Sequence, residues 1–374
     1  MKRGLLCMGL VLLSVPAFAH KPSDSYLTLR VQDESIQGQW DIALRDLDYA
    51  VGLDSDDDGL ITWGELRSRH DALAAYALSH LRVSADDRPC TTRPTEHLVD
   101  YHTDGAYAAL RFVAQCPATP ETINLGYNLF FDLDPLHRGL LRLEYKGHTH
   151  TAIFSPERSD QQLELGVVDP WRRFLDYGRE GIWHIWIGYD HILFLLSLLL
   201  PAVLRREAGH WRAVTGFRPA FWEVFKIVTA FTVAHSITLS LAALGIISLP
   251  SRLVESAIAA SVVLVALNNL YPILRVHLWW IAFGFGLVHG LGFASVLIDL
   301  GLPGGALLTA LVGFNLGVEV GQVAIVGLFL PLAFWMRNSW FYQRLVLGVG
   351  SLAIAVVASV WLLERSLNLD LLIF

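Results

Sequence analysis

The chain has 374 residues, of which 53% are hydrophobic, and its acidic residues outnumber its basic ones to give a net charge of −7. This composition is too apolar for an ordinary soluble protein, and the acidic balance argues against nucleic acid as a partner. Long apolar runs fill residues 181–364, whereas residues 20–180 are mixed and acid-rich. We therefore expect an α-helical polytopic membrane domain over 181–364, preceded by a small soluble domain.

The amino terminus has the pattern of a secretory signal peptide. A lysine and an arginine precede a short apolar stretch, and an Ala-x-Ala cleavage site ends at Ala19. We assign residues 1–19 to the signal peptide and residues 20–170 to an exported domain. The exported part keeps Cys90 and Cys116, which favour one disulfide outside the cytoplasm; two free buried thiols are the alternative.

The exported domain is predicted to be β-rich with one helical insertion. Short segments of alternating polarity, separated by turn residues, predict strands over Tyr26–Val31, Ala106–Val113, Thr122–Phe131 and Leu140–Tyr145. In the insertion we predict a helix from Glu65 to Leu81. The preceding segment, Ala43–Leu53, is short and contains Gly52, which argues against a complete helix there.

Residues 54–65 match the twelve-residue calcium loop of an EF-hand. Three alternating aspartates supply carboxylates, a glycine makes the sharp turn, and a glutamate closes the loop with two oxygens. The expected Ca²⁺ ligands are Asp54, Asp56, Asp58, Leu60 (through its carbonyl), Thr62 and Glu65. A lone exported hand should be weak, with a Kd of about 10⁻⁴–10⁻³ M, and structural rather than regulatory. An acidic surface loop is the alternative interpretation.

Three further histidines of this domain suggest a second metal site. His148 and His150 alternate on a predicted strand and so point to one face, and His20 would become the mature amino terminus. An amino-terminal histidine can chelate copper or nickel. We favour the simpler interpretation, in which these are exposed polar residues on a surface strand and at a frayed end.

Six apolar runs predict six transmembrane helices. They span approximately residues 182–204, 225–247, 253–274, 278–298, 305–334 and 345–363. If the exported domain is outside, most basic residues of the connectors fall on the inner side, as the positive-inside rule requires. The predicted location is the bacterial inner membrane, with the amino-terminal domain in the periplasm.

The first run contains His184-Ile-Trp-Ile-Gly188-Tyr-Asp190-His191. A charged residue near the bilayer centre costs about 2.5–3.5 kcal/mol, so such residues usually face a protein interior and have a function there. In one continuous helix, His184 and His191 would lie two turns apart on one face. The pattern predicts a metal site inside the membrane.

Polar residues also recur in the next four runs. Imidazoles and carboxylates without thiolates suit Ni²⁺, Co²⁺ or Zn²⁺ better than Cu⁺. The predicted metal ligands are His184, Asp190, His191, His235, His289 and Glu319, and the predicted supporting residues are Glu255, Asn269, Asn315 and Gln322. For any one of these, a hydrogen bond between helices is the alternative. In the fifth run Gly313, Gly317 and Gly321 form a separate stripe suited to close helix packing.

These residues resemble the HupE/UreJ family of nickel permeases. His184, Gly188, Asp190 and His191 match the first-helix pattern H-x-x-x-G-x-D-H, and His289-Gly290 resembles the fourth-helix motif. The match there is looser, since Phe285 is followed by Gly286 where short members have a histidine. The whole chain looks like the longer branch, which adds an exported domain with an EF-hand-like loop. The resemblance implies a six-helix fold and nickel transport, with His235 as a candidate replacement ligand.

The leading hypothesis is a secondary transporter that takes up Ni²⁺ or Co²⁺ through an intramembrane site. The alternative is an intramembrane zinc metalloenzyme, a hydrolase in which a histidine–aspartate site activates water. A third hypothesis, a calcium-responsive binding protein, leaves the intramembrane histidines unexplained. The expected partners are the lipid bilayer and a metal ion, and a homo-oligomer remains open.

Overall fold

The computed structural model describes residues 23–102, 105–166, 169–207, 210–271, 274, 276–299, 302 and 304–367. The predicted signal peptide and His20 lie outside these residues. The amino-terminal part is a β-rich domain with three short helices. Its elements are β1 (Asp24–Gln32), β2 (Ser35–Ala43), α1 (Leu44–Val51), α2 (Trp63–Ser68), α3 (His70–Ser79), β3 (Leu81–Ala85), β4 (Arg88–Pro89), β5 (Thr91–His102), β6 (Gly105–Gln115), β7 (Thr122–Tyr127), β8 (Arg138–Tyr145), β9 (His148–Phe154) and β10 (Asp160–Glu164).

The strands form two sheets that share one apolar core. The larger sheet has the order β5-β6-β2-β1-β8-β9 and the smaller one β10-β7-β3-β4. Strand pairs are antiparallel except β1 with β8. Alternate residues of β1, beginning with Leu27 and Leu29, enter the core with Trp40, Phe112 and Tyr127. Since successive side chains of a strand point to opposite faces, the other residues of β1 lie on the far side of the sheet.

The helical insertion carries the acidic loop between α1 and α2. The helix α1 has only eight residues and ends at Gly52, whose φ of 64° needs a glycine. The predicted helix from Glu65 to Leu81 is two helices, because the chain breaks at Arg69 between α2 and α3. The predicted strand Thr122–Phe131 is also shorter: β7 ends at Tyr127 and Phe130 has a positive φ of 59°.

Cys90 and Cys116 are joined by a disulfide. Cys90 lies between β4 and β5, and Cys116 directly follows β6. The bridge therefore ties the start of the edge strand to the end of its neighbour, and it decides between the two alternatives left open by the sequence.

The carboxyl-terminal part is helical. Its elements are α4 (Pro170–Ile187), α5 (Tyr189–Leu199), β11 (Leu204–Glu207), β12 (His210–Ala213), α6 (Phe217–Ala243), α7 (Ser251–Leu270), α8 (Leu278–His289), α9 (Ala294–Asp299), α10 (Gly304–Met336), a π-helical segment (Phe341–Val349) and α11 (Gly350–Leu367). Within the described residues, four helical stretches are long and apolar enough to cross a membrane, and a fifth span is present if α4 and α5 count as one. The chain is thus a membrane protein with an amino-terminal domain.

Two of the six predicted spans differ from the structure. The first is not one continuous helix, because α4 and α5 are bent by 69° at Gly188. The fourth contains a helix of only 12 residues, α8, followed after a turn by the short α9. About 20 apolar residues are needed to cross the hydrocarbon core as a helix, so α8 alone is too short.

Glycines set the close contact between α4 and α10. A Cβ on Gly317 would overlap the carbonyl oxygen of Gly178, and one on Gly181 would overlap that of Phe314. The stripe predicted from the sequence, with Gly313 and Gly321, lies along this contact. Since small residues let helix backbones approach closely, α10 can place its other face against α6.

The large sheet packs against the helices. Five buried residues from its outer face belong to the same apolar cluster as residues of α4, α6 and α10: Tyr26, Ala43, Tyr107, Leu140 and Ile153. Beside this contact, Arg158 lies 2.6 Å from Asp176 and 3.4 Å from Glu180 on α4. The outer face of the sheet therefore lies at the junction of the two parts of the chain.

Candidate metal centre

The helix break at Gly188 brings two histidines together. Gly188 has an extended backbone (φ −71°, ψ 96°), and its N–H still donates to the His184 carbonyl at 3.1 Å. A Cβ on Gly188 would lie 2.6 Å from that carbonyl oxygen and 3.1 Å from His191 Nδ1. Only a residue without a side chain allows this approach. The imidazole rings of His184 and His191 are 4.5 Å apart, between centroids. Their proximity results from the break and not from the shared helix face that the sequence predicts.

Asp190 fixes the ring of His191. Its Oδ1 accepts hydrogen bonds from the His191 backbone N–H at 2.8 Å and from His191 Nδ1 at 2.9 Å. With its proton on Nδ1, the ring has its lone pair on Nε2. That Nε2 is buried and has no hydrogen-bond partner among the described residues. A carboxylate behind an imidazole is a common arrangement at metal sites, where it sets the tautomer and raises the basicity of the ligand.

Asn315 plays the same role for His235. The Asn315 amide nitrogen donates to the Leu311 carbonyl at 2.9 Å, which turns its oxygen towards His235 Nδ1 at 3.2 Å. Since an amide oxygen only accepts, Nδ1 carries the proton. The Nε2 lone pair of His235 is again buried without a partner in the described part of the chain.

Ser261 holds His289 through the opposite ring nitrogen. The Ser261 hydroxyl donates to the Ile258 carbonyl at 2.6 Å, and its oxygen lies 3.0 Å from His289 Nε2. The single hydroxyl proton is used, so Nε2 donates and Nδ1 keeps the lone pair. His289 Nδ1 is the atom buried without a partner here.

These histidines converge as one group, which we name the histidine cluster (His184, His191, His235 and His289). Ligand atoms of the first three lie within 4.8 Å of one another, close enough for one metal ion. The His289 ring lies 5.0 Å from that of His191, at the border of the trio. In each of the four, one buried nitrogen has no partner among the residues described, including Nε2 of His184.

Aromatic rings enclose the cluster. Phe314 lies 5.3 Å from the ring of His184, stacked on Phe293 at 4.1 Å. On the other side, Phe231 and Phe194 lie 5.3 Å and 4.8 Å from His289. These rings give the cluster partly apolar walls, as is typical of small-ligand sites.

The remaining predicted residues have other positions. Glu319 accepts a hydrogen bond from Thr229 at 3.0 Å and Gln322 one from Thr232 at 3.0 Å, so both join α10 to α6 beside His235. Glu319 is not in the group of ligand atoms formed by His184, His191 and His235.

Two predicted supporting residues lie away from the cluster. Glu255 accepts from Ser251, one turn earlier in α7, at 2.7 Å. Asn269 donates to the Ser197 carbonyl at 2.7 Å and lies 3.2 Å from Ser351, so it links three helices. Asn269 therefore fits the alternative interpretation, in which a polar residue of a membrane helix forms hydrogen bonds to other helices.

Sequence reasoning did not find Ser261. It is one small polar residue in an apolar helix, and its role depends on α8 bringing His289 opposite to it. A lone serine in an apolar helix gives no distinguishing pattern in the sequence, because most such hydroxyls bond to a carbonyl of their own helix.

The three aspartates of the acidic loop lie close together. Carboxylate oxygens of Asp54, Asp56 and Asp58 lie within 4.8 Å of one another. The repulsion of Asp58 raises the pKa of Asp56. Gly59 turns the loop with a φ of 79°, and its N–H donates to Asp54.

Glu65 folds over this loop and joins its two ends. It accepts from the backbone and hydroxyl of Ser55 and from those of Thr62. These hydrogen bonds, with the Thr62 backbone first among them, lower the Glu65 pKa to about 2. A carboxylate held charged at this position is what an EF-hand loop needs at its twelfth residue.

The strand histidines differ from expectation in one respect. His148 is exposed, but His150 is only 6% exposed and its Nε2 has no partner within the described residues. The expectation of two exposed histidines is therefore wrong for His150. Burial lowers the His150 pKa.

Residues 159–365 match the family described as HupE / UreJ protein. The chain belongs to the HupE/UreJ family. The matched region covers more than half of the chain and includes α4 to α11 with the whole histidine cluster, whereas nearly all of the β-rich domain and its acidic loop lie outside it. Comparison with curated proteins gave no significant match.

Proposed function

We propose that this HupE/UreJ protein is a secondary transporter that carries Ni²⁺ or Co²⁺ across the inner membrane, with the ion bound by the histidine cluster. The observation that carries the proposal is the set of four buried imidazole nitrogens without hydrogen-bond partners among the described residues. An unsatisfied buried acceptor costs about 1–3 kcal/mol, so four at one place are costly unless a ligand uses them. A divalent ion of borderline softness is the ligand that imidazoles prefer.

The helix break supports transport in particular. Transporters commonly bind their substrate where membrane helices are discontinuous, and backbone irregularity is tolerated there because it lines a polar site. Here the break between α4 and α5 lies between His184 and His191. Family membership points in the same direction, since the chain resembles nickel permeases.

Individual residues then take separate roles. His184, His191 and His235 hold the ion, and His289 completes its coordination. Asp190, bound to His191, offsets part of the positive charge of the ion. Glu319 is half-buried and bound only to Thr229 among the described groups, which suits charge balance or a proton route next to the site. Glu255, at the far end of α7, has no described contact with the cluster and suits only a remote role in charge balance.

Whole-cell metal content measured by mass spectrometry tests the proposal. Cells that express the wild-type chain should gain Ni²⁺ or Co²⁺, and His184→Ala/His191→Ala should abolish the gain. His277→Ala is the matched control, because His277 is an exposed histidine at the start of α8. Equal metal in wild-type and double-variant cells would sink the proposal. Zinc that copurifies tightly, with no metal gain in cells, would instead favour the hydrolase.

We also propose that the β-rich domain lies in the periplasm and binds Ca²⁺ through its acidic loop. The disulfide supports an oxidising compartment. The carboxylate oxygens of Asp54, Asp56 and Asp58 lie together. With the Leu60 carbonyl, Thr62 and Glu65 they would supply the oxygen ligands that a hard cation prefers. Bound calcium would neutralise the mutual repulsion of the aspartates and hold the loop closed.

Thermal unfolding of the full chain in detergent tests calcium binding. Calcium should raise the unfolding temperature over that in a chelator, because it binds the folded loop and not the unfolded chain. Glu65→Gln should remove the difference. Glu121→Gln, an exposed acid outside the loop, should keep it. A calcium effect that survives Glu65→Gln would contradict the assignment.

A further inference from the structure

A third group of metal-ligating side chains lies on the outer face of the large sheet, separate from both the acidic loop and the histidine cluster. Ligand atoms of Asp41, Asp100 and His102 all lie within 4.8 Å of one another. Asp100 and His102 alternate along the edge strand β5, so both point to one face. Asp41 reaches the same face from β2, across β6.

Three residues of the intervening strand lie on the face of this group. Asp41 is paired with Ala109 of β6, and His102 with Gly105 of the same strand. Between these two small residues lies Tyr107, which is paired with Asp100 and packs against the ring of His102. Asp41 Oδ2 lies 3.2 Å from His102 Nε2, and Asp41 Oδ1 accepts from Gln39 at 3.0 Å.

The group is partly enclosed. The side chains of Asp41 and His102 are each 10% exposed, whereas Asp100 is exposed and can be reached from solvent. The ring of His102 is stacked on Tyr26 at 4.5 Å and lies 4.4 Å from Tyr107. One open side and two nearly buried ligands describe a site that a small cation can enter and leave.

Its place in the fold connects it to the membrane domain. Tyr26 and Tyr107 are the residues through which this part of the sheet joins the apolar cluster shared with α4, α6 and α10. The three ligands thus lie directly beside the junction between the domain and the helices, on the face turned towards the helices.

We infer that Asp41, Asp100 and His102 form a second site for a divalent transition-metal ion, which holds the ion at the junction before it enters the membrane domain. Two carboxylates and one imidazole give an oxygen- and nitrogen-donor set that suits Ni²⁺, Co²⁺ or Zn²⁺. Two like charges beside one imidazole repel each other, and a bound cation removes this repulsion. The role in delivery rests on the proposed transport function; the binding site itself does not.

Metal binding by the full chain in nanodiscs tests the site independently of transport. The background is His184→Ala/His191→Ala, which removes the intramembrane ligands, and excess calcium keeps the acidic loop filled. Equilibrium dialysis with Ni²⁺ should find one bound ion per chain. Asp100→Asn, at an exposed position that tolerates substitution, and His102→Gln should each weaken binding by at least about tenfold.

The control is His148→Gln, the same substitution at an exposed histidine elsewhere on the sheet. It should leave Ni²⁺ binding unchanged. An absence of bound Ni²⁺ in the background variant, or equal binding after Asp100→Asn, would overturn the site and leave a simple Asp41–His102 ion pair.

The delivery role is tested separately, by measuring metal uptake in chains that keep the histidine cluster. If the site feeds the membrane domain, Asp100→Asn should raise the metal concentration for half-maximal uptake and leave the maximal rate unchanged. An unchanged half-maximal concentration would overturn delivery. If the wild-type chain transports nothing, the transport proposal and delivery fail together, while the dialysis result still decides whether the second site exists.

Discussion

At the scale of single residues, the histidine cluster is defined by the partners behind its rings. Asp190, Asn315 and Ser261 each hold one nitrogen of an imidazole and leave the other nitrogen bare towards the enclosure. Such outer partners commonly change metal affinity by about 10–100-fold, because they fix tautomer and ring orientation. The polar chemistry of the cluster is therefore distributed over more residues than the four histidines.

Ser261→Ala should weaken Ni²⁺ binding by about tenfold without unfolding the chain, because His289 would lose the acceptor that fixes its tautomer. Ser256→Ala is the matched control, since the Ser256 hydroxyl bonds to the Arg252 carbonyl of its own helix. Equilibrium dialysis on the purified chain measures both. Equal affinities in the two variants would contradict an outer role for Ser261.

At the scale of secondary-structure elements, the break between α4 and α5 determines the geometry of the centre. The two half-helices meet at Gly188, and the rings of His184 and His191 face each other across the bend. A straight helix would place these rings two turns apart, about 10 Å along its axis. The bend, rather than the spacing in sequence, brings the two imidazoles together.

Gly188→Ala should abolish metal binding more completely than it lowers stability. The added Cβ would meet the His184 carbonyl and His191 Nδ1, so the half-helices must separate. Overpacking of this kind costs about 1–3 kcal/mol. Gly284→Ala in α8, where a Cβ meets nothing within 4 Å, is the control for an added methyl group. Unfolding temperature and Ni²⁺ affinity, measured together, separate the two effects; unchanged affinity in Gly188→Ala would refute the argument.

The sequence predicts the membership of the cluster better than its geometry. Histidines and an aspartate in apolar runs have few stable positions other than a protein interior, so His184, His191, His235 and His289 could be grouped without a structure. The bend could not be predicted, because glycine is frequent in membrane helices and its meaning here depends on a contact with the His184 carbonyl.

The same contrast applies to whole elements. Alternating polarity identifies the strands, and long apolar runs identify the membrane helices, directly from the sequence. The early end of α8 could not be predicted, because its sequence stays apolar through the turn that follows His289. The break between α2 and α3 at Arg69 could not be predicted either, because no helix-breaking residue marks it in the sequence.

At the scale of the whole molecule, the domain is fastened to the helices by an apolar contact and a group of ion pairs. Arg158 lies between Asp176 and Glu180, and Glu180 also lies 3.8 Å from Arg138. These side chains are mostly shielded from solvent, unlike the pair formed by Arg82 and Asp160. Charges removed from water depend on each other far more than exposed ones.

Arg158→Met should loosen the domain from α4, because it removes the cation that lies between Asp176 and Glu180. We expect a loss of about 3 kcal/mol and faster proteolysis between β10 and α4. Arg82→Met, which breaks an exposed pair, should cost at most about 1 kcal/mol. Thermal unfolding and limited proteolysis of the full chain measure the difference, and equal effects would argue against a fastening role.

The disulfide determines whether the β-rich domain offers thiolates as metal ligands. The chain has three cysteines, and the two that the structure describes are bonded to each other. If the bridge were reduced, its two neighbouring thiolates would bind zinc and similar ions tightly. Oxidised, the domain presents oxygen and nitrogen donors, from which ions are released more readily. If the domain delivers metal as we propose, the disulfide keeps these two sulfur atoms from competing for the ion.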